Sequence, residues 1–431
     1  MGYAEMVKKV IEGSVDQYSI IEGSSTENII RFYNGKISIF AQNEAKYVQV
    51  LATKGKKKAF KVITDLNNIE KESSDLLKEL ERSEEGDVPQ IYGKTSYSSA
   101  QVSDKEVELE EALARVSESI KLSYSKGIDR VAGIAKLYKN IFRLLTSTGN
   151  EKEDLRTDYI YYVRAFKGEG SGFGNSVSTS IKRFNPELAS EEASKDAINS
   201  QSPKKLPEGK YDVILSPPIA ASIFELTSSM CSAYAIEAGF SFLADKLGEK
   251  VASDLISITD FGMIEDGVNS RSFDDEGAPT GVTQLIDKGV FVSPLHNSTT
   301  AKKWGSKTTG NAGIIEPSPW NVIVKEGSST LDEMIKEVKE GVLITNNWYT
   351  RFNNYRTGEF STIVRDAAYY IKDGEIKHPV NYIRLSDSLP RLLSSVKLVS
   401  RESKWIKWWG EVVTPVKSPY ILVEGSTLTV P

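Results

Sequence analysis

The chain has 431 residues, 39% of them hydrophobic and 26% charged, which is the balance of an ordinary globular protein. Its 54 basic and 59 acidic side chains give a net charge of −5, which excludes a global positive field for binding nucleic acid or an anionic membrane. No apolar run reaches the roughly 18 residues of a membrane-spanning helix and no secretion signal is visible, so we expect a cytoplasmic protein.

The amino-terminal segment predicts a short amphipathic helix followed by an antiparallel meander. Asn34-Gly35 lies between two strand-like runs, and this dipeptide favours a type I′ hairpin because both of its residues accept positive φ. The runs Lys46–Thr53 and Lys57–Thr64 extend the meander through a turn at Lys54–Lys58. That basic turn could contact phosphate, but a solvated hairpin tip is the simpler interpretation.

Two helices are predicted next, over Asp65–Ser83 and from Ser103 to about residue 126. Ser103 and Glu106 have the spacing of a capping box, in which each side chain accepts a hydrogen bond from an orphan backbone N–H. The capping box therefore places the start of the second helix at Ser103.

Strands are predicted over Gly127–Leu145 and Asp158–Lys167, and a glycine-rich stretch, Gly168–Gly174, follows them. Glycine-rich loops bind phosphate when a helix and a Lys-Ser/Thr pair come directly after the loop, and neither is present here. We therefore expect a flexible hairpin connection.

A polar, proline-bearing stretch without periodicity, Ser200–Gly209, is the predicted domain boundary. It separates an amino-terminal α+β domain, residues 1–205, from a β-rich carboxyl-terminal domain, residues 206–431. Strands and helices segregate along the chain, which favours an α+β fold class with two domains, largely antiparallel or mixed sheets and flanking helices. The second domain is predicted to contain strands Tyr211–Leu215, Gly281–Pro294, Trp320–Lys325, Gly341–Thr345, Glu359–Asp373 and Val380–Leu385, helix Thr330–Lys339 and a hairpin turn at Asp373-Gly374.

One helix, predicted over residues 218–234, carries a single acid among apolar and hydroxyl side chains. Pro217-Pro218 suit its start because the first helical positions need no backbone donor. Glu225 lies among small polar residues, on a face that is either solvated or the floor of a cleft. A core-facing stripe is formed by Ile219, Ile223, Leu226 and Met230.

Cysteine and histidine are scarce in this chain. Cys231 is the only cysteine, which excludes an internal disulfide and a multi-cysteine metal site. It has no histidine close in sequence to activate it, so we expect a small buried side chain rather than a nucleophile. His296 and His378 are the only histidines and lie far apart in sequence, so we expect ordinary histidines rather than a zinc site.

Basic and aromatic side chains alternate over Lys404–Gly410. Such a pattern can stack the bases of single-stranded nucleic acid. It also fits a strand with one buried aromatic face, and the acidic net charge favours this second interpretation, with core or interface packing.

Several ordered segments of the chain resemble the TldD/PmbA (TldE) family. The resemblance spans nearly the whole sequence and is strongest over residues 211–385, and it includes the hairpin at Asn34–Lys36. The other segments that carry it are Ser241–Ser253, Arg271–Thr280, Leu285–Val292, Thr308–Gly313, Gly341–Thr345, Gly358–Ser361 and Asp373–Val380.

In that family the TldD-type subunit is a zinc peptidase with a His-Glu-x-x-x-His helix and a distant cysteine ligand. The resemblance places Phe224 at the first histidine, Glu225 at the glutamate, Ser229 at the second histidine and Trp409 at the cysteine. Phenylalanine and tryptophan offer zinc no electron pair, and a serine hydroxyl is a poor neutral ligand. Without a metal, a glutamate with an ordinary pKa near 4.3 is too weak a base to generate hydroxide. We therefore expect no metal and no cofactor in this chain.

The resemblance is closest to the PmbA/TldE-type subunit, which lacks the metal motif. It implies a non-catalytic subunit that forms a heterodimer with a TldD-type zinc metallopeptidase, with helix 218–234 lining a cavity for unfolded or short peptides. Zinc would then belong to the partner, and neither membrane nor nucleic acid would take part. Two alternatives stay open: a stand-alone homodimer that binds peptides or regulates a partner, as the family's older name of DNA gyrase modulator suggests, and an intrinsic peptidase with an unrecognised site.

Overall fold

The computed structural model describes residues 2–430, which contain nine α-helices and eighteen β-strands. The helices are α1 Tyr3–Ile11, α2 Ile69–Arg82, α3 Leu109–Ser125, α4 Pro186–Asn199, α5 Pro217–Met230, α6 Ala233–Glu237, α7 Ser298–Lys303, α8 Leu331–Glu337 and α9 Leu389–Ser394. The strands are β1 Gln17–Tyr33, β2 Lys36–Lys54, β3 Lys57–Ile63, β4 Arg130–Thr146, β5 Glu151–Lys167, β6 Gly170–Ser178, β7 Lys204–Lys205, β8 Gly209–Leu215, β9 Ile258–Phe261, β10 Val282–Asp287, β11 Val290–Phe291, β12 Val322–Val324, β13 Glu340–Asn354, β14 Glu359–Lys372, β15 Glu375–Asn381, β16 Arg384–Ser388, β17 Val396–Trp408 and β18 Val412–Thr429.

The first sheet is antiparallel and has the strand order β3-β2-β1-β4-β5-β6. Its β1–β2 hairpin confirms the prediction at Asn34-Gly35, where φ is 48° and 76°. Helices α1 and α2 pack on the sheet through one apolar cluster, and α3 and α4 pack through another. No helix within residues 2–430 is both long and apolar enough to cross a membrane.

The glycine-rich stretch is mostly a strand, so the prediction of a flexible connection is wrong beyond its first two residues. Gly170, Gly172 and Gly174 lie in β6, directly under α4. A Cβ atom at any of them would come within 1.8–2.2 Å of a backbone carbonyl oxygen of α4. The glycines therefore allow the helix to pack closely on the sheet, which a side chain would prevent.

The capping box predicted at Ser103 is absent, and α3 begins six residues later at Leu109. The Ser103 hydroxyl donates to the Asp104 carbonyl, and the Glu106 carboxylate pairs with Lys139 on β4. A local contact therefore engages Ser103, and a tertiary contact engages Glu106.

The second sheet has twelve strands, with the main path β11-β10-β9-β12-β18-β8-β13-β14-β15-β7; β16 pairs with β14 and β18, and β17 with β18. It is mixed, because β8–β13, β12–β18 and β7–β15 are parallel pairs. The predicted α+β fold class with largely antiparallel or mixed sheets is confirmed. The second hairpin prediction is also confirmed at Asp373-Gly374, where φ is 50° and 77°. The largest apolar core lies between this sheet and α5.

Candidate functional site

Helix α5 is the centre of the candidate site and is buried on almost every side. It begins at Pro217 directly after β8 and packs against β13, β17 and β18. It ends at Met230, earlier than predicted, because Ser232 makes a bridge to Leu295 and draws the chain out of the helix.

The interpretation of a solvated polar face on α5 is wrong. Ser222, Thr227 and Ser228 are fully buried, and each hydroxyl donates to a backbone carbonyl of the preceding turn at 2.7–2.9 Å. Burying hydroxyls that are hydrogen-bonded in this way costs little folding free energy, and their small size lets neighbouring strands approach the helix. The helix is therefore a core element rather than an amphipathic surface helix.

Phe224, predicted at the first ligand position, is fully buried in the main core. Its ring packs among aliphatic and aromatic side chains of the twelve-stranded sheet, a cluster that also contains Trp408. The phenyl ring therefore fills space in the core and provides no donor atom for a metal.

Glu225 is partly buried, and its surroundings favour the protonated form of its carboxyl. Burial raises the pKa of its carboxyl to about 7, against the lowering effects of a hydrogen bond from the Thr414 backbone and the positive charge of Lys407. The nearby charge of Glu411 raises the pKa further. The carboxyl is therefore close to the Thr414 backbone of β18.

Lys407 on β17 supplies the positive charge that acts on Glu225. Its Nζ donates to the Val413 carbonyl at 2.7 Å and to Asn269 Oδ1 at 3.0 Å. Burial lowers the pKa of this ammonium to about 8, while attraction to Asp158 and Glu225 opposes that shift. The positive charge nearest in effect to Glu225 is therefore a lysine that is hydrogen-bonded to other groups.

The other two predicted positions lie in different environments. Ser229 is partly exposed near the end of α5. Trp409 is 72% exposed, with its ring 5.8 Å from that of Trp348. The residues present do not fit a zinc site, because Phe224 is embedded in the core, Trp409 points to solvent and neither has a donor for zinc.

The scarce cysteine and histidines are also placed apart from one another. His296 is buried and its Nδ1 lies 3.1 Å from Thr300 Oγ1, whereas His378 on β15 stacks on Tyr370. Burial raises the pKa of the Cys231 thiol, which disfavours the thiolate. Across residues 2–430, no group of three or more His, Cys, Asp or Glu side chains is arranged to hold a metal ion.

Sequence reasoning missed a strained turn next to α5. Tyr349 in β13 has a φ of 64°, a left-handed conformation that is costly for an aromatic residue, at a register irregularity of the β13–β14 ladder. The buried carboxylate of Glu411 holds this turn by accepting hydrogen bonds from the Tyr349 N–H at 2.5 Å and the Thr350 hydroxyl at 2.7 Å. Asn347, on the same strand, donates to Ser222 of α5 at 2.9 Å, so the turn is tied to the helix.

The turn and the β17–β18 hairpin together present an aromatic platform, defined by Trp348, Tyr349 and Trp409. Tyr349 is 51% exposed, and the neighbouring Val413 is 67% exposed. Two guanidinium groups lie over these rings, 3.9 and 4.6 Å from the ring centroids, and belong to Arg351 and Arg365. Exposed tryptophan, tyrosine and arginine side chains are the residues that protein interfaces favour.

The aromatic alternation over Lys404–Gly410 predicted packing, which is confirmed for the buried Trp408.

A cleft of about 540 Å³ lies between α4, α8 and β15 and reaches the amino-terminal end of α5. Asp196 lines it and accepts a 2.9 Å hydrogen bond from the Tyr369 hydroxyl. Burial raises the pKa of Asp196 to about 6. The lining also includes apolar side chains and the bases Lys195 and Lys377, so the cleft offers apolar contacts and charges of both signs.

The chain is similar to known proteins both in sequence and in structure. Residues 208–430 match the family model described as the PmbA/TldA metallopeptidase C-terminal domain. A Metalloprotease from Methanothermobacter thermautotrophicus is 30% identical over 267 residues, 58% of this chain and 58% of that protein, so the alignment spans less than two thirds of the relative's length. The structure of TldE from Thermococcus kodakarensis is similar with a TM-score of 0.87 at 19% identity, over 99% of this chain and 100% of that chain. A structure from Thermotoga maritima, of a protein proposed to modulate a DNA gyrase, is similar with a TM-score of 0.86 at 24% identity, over 99% of both chains.

Proposed function

The chain belongs to the PmbA/TldD family of metallopeptidases, and from this premise we propose that it is a non-catalytic subunit with a degenerate metal site. In this proposal it resembles TldE/PmbA and pairs with a TldD-type zinc metallopeptidase in the proteolysis of unfolded or short peptides. The partner would carry the zinc and hydrolyse the peptide bond. This chain would contribute the scaffold and part of the peptide-binding surface.

The donor set around Glu225 is the observation that carries the proposal. A catalytic zinc needs about three protein ligands and an open position for water. Here the first ligand position holds the buried ring of Phe224, and Lys407 provides a competing positive charge. Glu225 instead lies close to the Thr414 backbone of the β17–β18 hairpin, which supports a structural role for the retained acid.

The aromatic platform supports a role in contacting another polypeptide. Its strained turn is held by the buried carboxylate of Glu411, so the exposed ring of Tyr349 is positioned before any partner arrives. Pre-organised aromatic side chains lose little conformational entropy on binding. The double substitution Tyr349→Ala with Trp409→Ala should therefore weaken pairing with the zinc-bearing subunit, whereas Phe240→Ala, which removes an equally exposed ring elsewhere, should not.

The decisive experiment compares the purified chain alone with its complex with a homologue that carries the full His-Glu-x-x-x-His motif. Metal analysis and hydrolysis of an unfolded peptide are measured on both. The chain alone should contain substoichiometric zinc and show no hydrolysis, and the complex should show both zinc and chelator-sensitive hydrolysis. Stoichiometric zinc with chelator-sensitive hydrolysis in the chain alone would overturn the proposal.

A matched pair of variants separates the accessory role from an intrinsic peptidase. Glu225→Gln in this chain should leave hydrolysis by the complex unchanged, because the acid is assigned a structural role. The same substitution in the partner's motif should abolish hydrolysis. Loss of hydrolysis with Glu225→Gln in a complex that still assembles would show that this chain supplies a catalytic residue.

The cleft at Asp196 favours a second candidate function, a stand-alone homodimer that binds peptides or regulates a partner in the manner of a gyrase modulator. Its mixed apolar and charged lining suits an extended peptide. This candidate predicts peptide binding by the chain alone, without a homologue. Fluorescence titration with a labelled peptide, with Ile376→Glu as a variant at an exposed position of the cleft lining, distinguishes the two functions.

A further inference from the structure

The cleft of about 540 Å³ between α4, α8 and β15 contains a carboxylate without a counter-ion. Asp196 lies in the last turn of α4 and is partly buried. Its Oδ1 accepts a hydrogen bond from the Tyr369 hydroxyl at 2.9 Å, whereas its Oδ2 has no hydrogen bond and no ion pair with any group of residues 2–430. One oxygen of this carboxylate is therefore available to a ligand in the cleft.

The lysines that line the cleft do not neutralise this carboxylate. Lys404 and Lys377 are each paired with a glutamate, at 2.6 and 2.5 Å. Lys195 is exposed on α4, and its charge lowers the pKa of Asp196, but its ammonium forms no ion pair with that carboxylate. The lining therefore includes cations, and none of them is bound to Asp196.

The surroundings of Asp196 favour the binding of a positive charge. The last turn of α4 has no basic residue, and its carbonyl groups carry the negative end of the helix dipole. Burial raises the pKa of the Asp196 carboxyl to about 6, and the negative charges of Glu192 and Asp366 raise it further, against the lowering effect of the Tyr369 hydroxyl. A cation bound next to the carboxylate would offset the cost of keeping it ionised in this position.

Apolar side chains supply much of the remaining lining. They belong to Leu331 and Ile335 on α8, Leu343 on β13 and Ile376 on β15. A cleft with apolar walls and a few polar groups is the usual form of a site for a small molecule or a peptide side chain. We infer that this cleft binds a primary ammonium group carried by an apolar chain, with Asp196 as its counter-ion.

The geometry of the carboxylate favours an ammonium over a guanidinium. Because Oδ1 of Asp196 already accepts from Tyr369, the available Oδ2 suits a point charge with three donors better than a planar fork that uses both oxygens. A peptide offers such a group at its amino terminus, next to an apolar residue, or on a lysine side chain. The inference rests on the cleft of the second candidate function and deepens that function, because it names the chemical group that the cleft recognises.

Titration of the full chain with hexylamine, followed by ligand-observed NMR, tests the inference without a peptide. Hexylamine should bind at least about tenfold more tightly than hexanol, which has the same chain and no charge, since charge-assisted hydrogen bonds are the stronger ones. Asp196→Asn, which keeps an acceptor for Tyr369, should weaken hexylamine binding at least about tenfold. Asp332→Asn, at an exposed position of the same lining, is the control and should change it less than about twofold. Equal binding of the two probes, no binding of hexylamine, or an Asp196→Asn variant that binds as tightly as the wild type would overturn the inference.

A labelled peptide with an apolar first residue and one internal lysine distinguishes the two sources of the ammonium group. Acetylation of the amino terminus alone should weaken binding at least about tenfold if the cleft takes the peptide end, and acetylation of the lysine alone should do so if it takes the side chain. Either result supports the inference. Binding that survives acetylation of both groups would overturn the inference and leave the second candidate function in place. Binding of hexylamine without binding of the peptide would support the inference and count against that function.

Discussion

Phe224→Ala should destabilise the twelve-stranded sheet by about 3–5 kcal/mol, the cost typical of removing a fully buried phenylalanine. The ring has no exposed surface and lies in the largest core cluster, between α5 and the sheet. Neighbouring strands are hydrogen-bonded on both sides and cannot collapse fully into the space, so the cavity term adds to the lost transfer free energy. Phe224→His should be destabilising as well, because it buries ring nitrogens among apolar groups.

Urea denaturation followed by tryptophan fluorescence measures this effect with local resolution. All six tryptophans lie between residues 304 and 409, so their emission reports on the half of the chain that contains α5. Ser229→Ala, on the same helix and partly exposed, is the control and should change the unfolding free energy by less than about 0.5 kcal/mol. A loss below about 1 kcal/mol for Phe224→Ala would refute the reasoning, because it would mean that the ring does not fill the core.

Two further substitutions test the electrostatics and the packing. Burial raises the pKa of Glu225 from 4.5 to about 7, so the folded chain holds this proton more tightly than the unfolded chain, and the group costs stability as pH rises through that window. The unfolding free energy of Glu225→Gln, relative to that of the wild type, should therefore rise by up to about 3 kcal/mol between pH 4.5 and pH 8. An equal difference at the two pH values would contradict the raised pKa of Glu225. Gly174→Ala should lower the melting temperature by several degrees or prevent folding, because the new Cβ would come 1.8 Å from the Ala189 carbonyl oxygen of α4. Gly93→Ala, which meets no atom within 4 Å, is the matched control, and equal melting temperatures for the two variants would refute the close-packing argument.

Local turn chemistry made part of the fold predictable. The hairpins at Asn34-Gly35 and Asp373-Gly374 form where expected because their positive φ angles are a property of the dipeptide itself. The helix start predicted at Ser103 was wrong because Glu106, the other residue of the capping box, pairs with Lys139 of β4 instead. The loop predicted around Gly170 was wrong because these glycines are required by the close packing of α4, and the local sequence does not show that contact.

The candidate site was predictable only where chemistry could be read from residue type. The lone acid Glu225 and the absence of nitrogen and sulfur donors around it were evident from the sequence. The burial of α5 was not, because periodicity identifies one buried face and cannot show that β17 and β18 cover another. Glu411 and Tyr349 were missed because they meet across 62 positions of sequence.

The charges around Glu225 bear on the proposed degenerate metal site as well as the helix motif does. Lys407 is held in place by the Val413 carbonyl of β18 and by Asn269 in the connection between β9 and β10. Histidines at positions 224 and 229 would supply two nitrogen donors, but a divalent cation bound there would still meet the repulsion of Lys407 and the close packing at Phe224. The β17–β18 hairpin, which carries both Lys407 and Trp409, therefore adds to the features of the helix that disfavour metal binding. In the proposed non-catalytic subunit, the side chains at the ligand positions and the nearby lysine would therefore both act against a metal at this site.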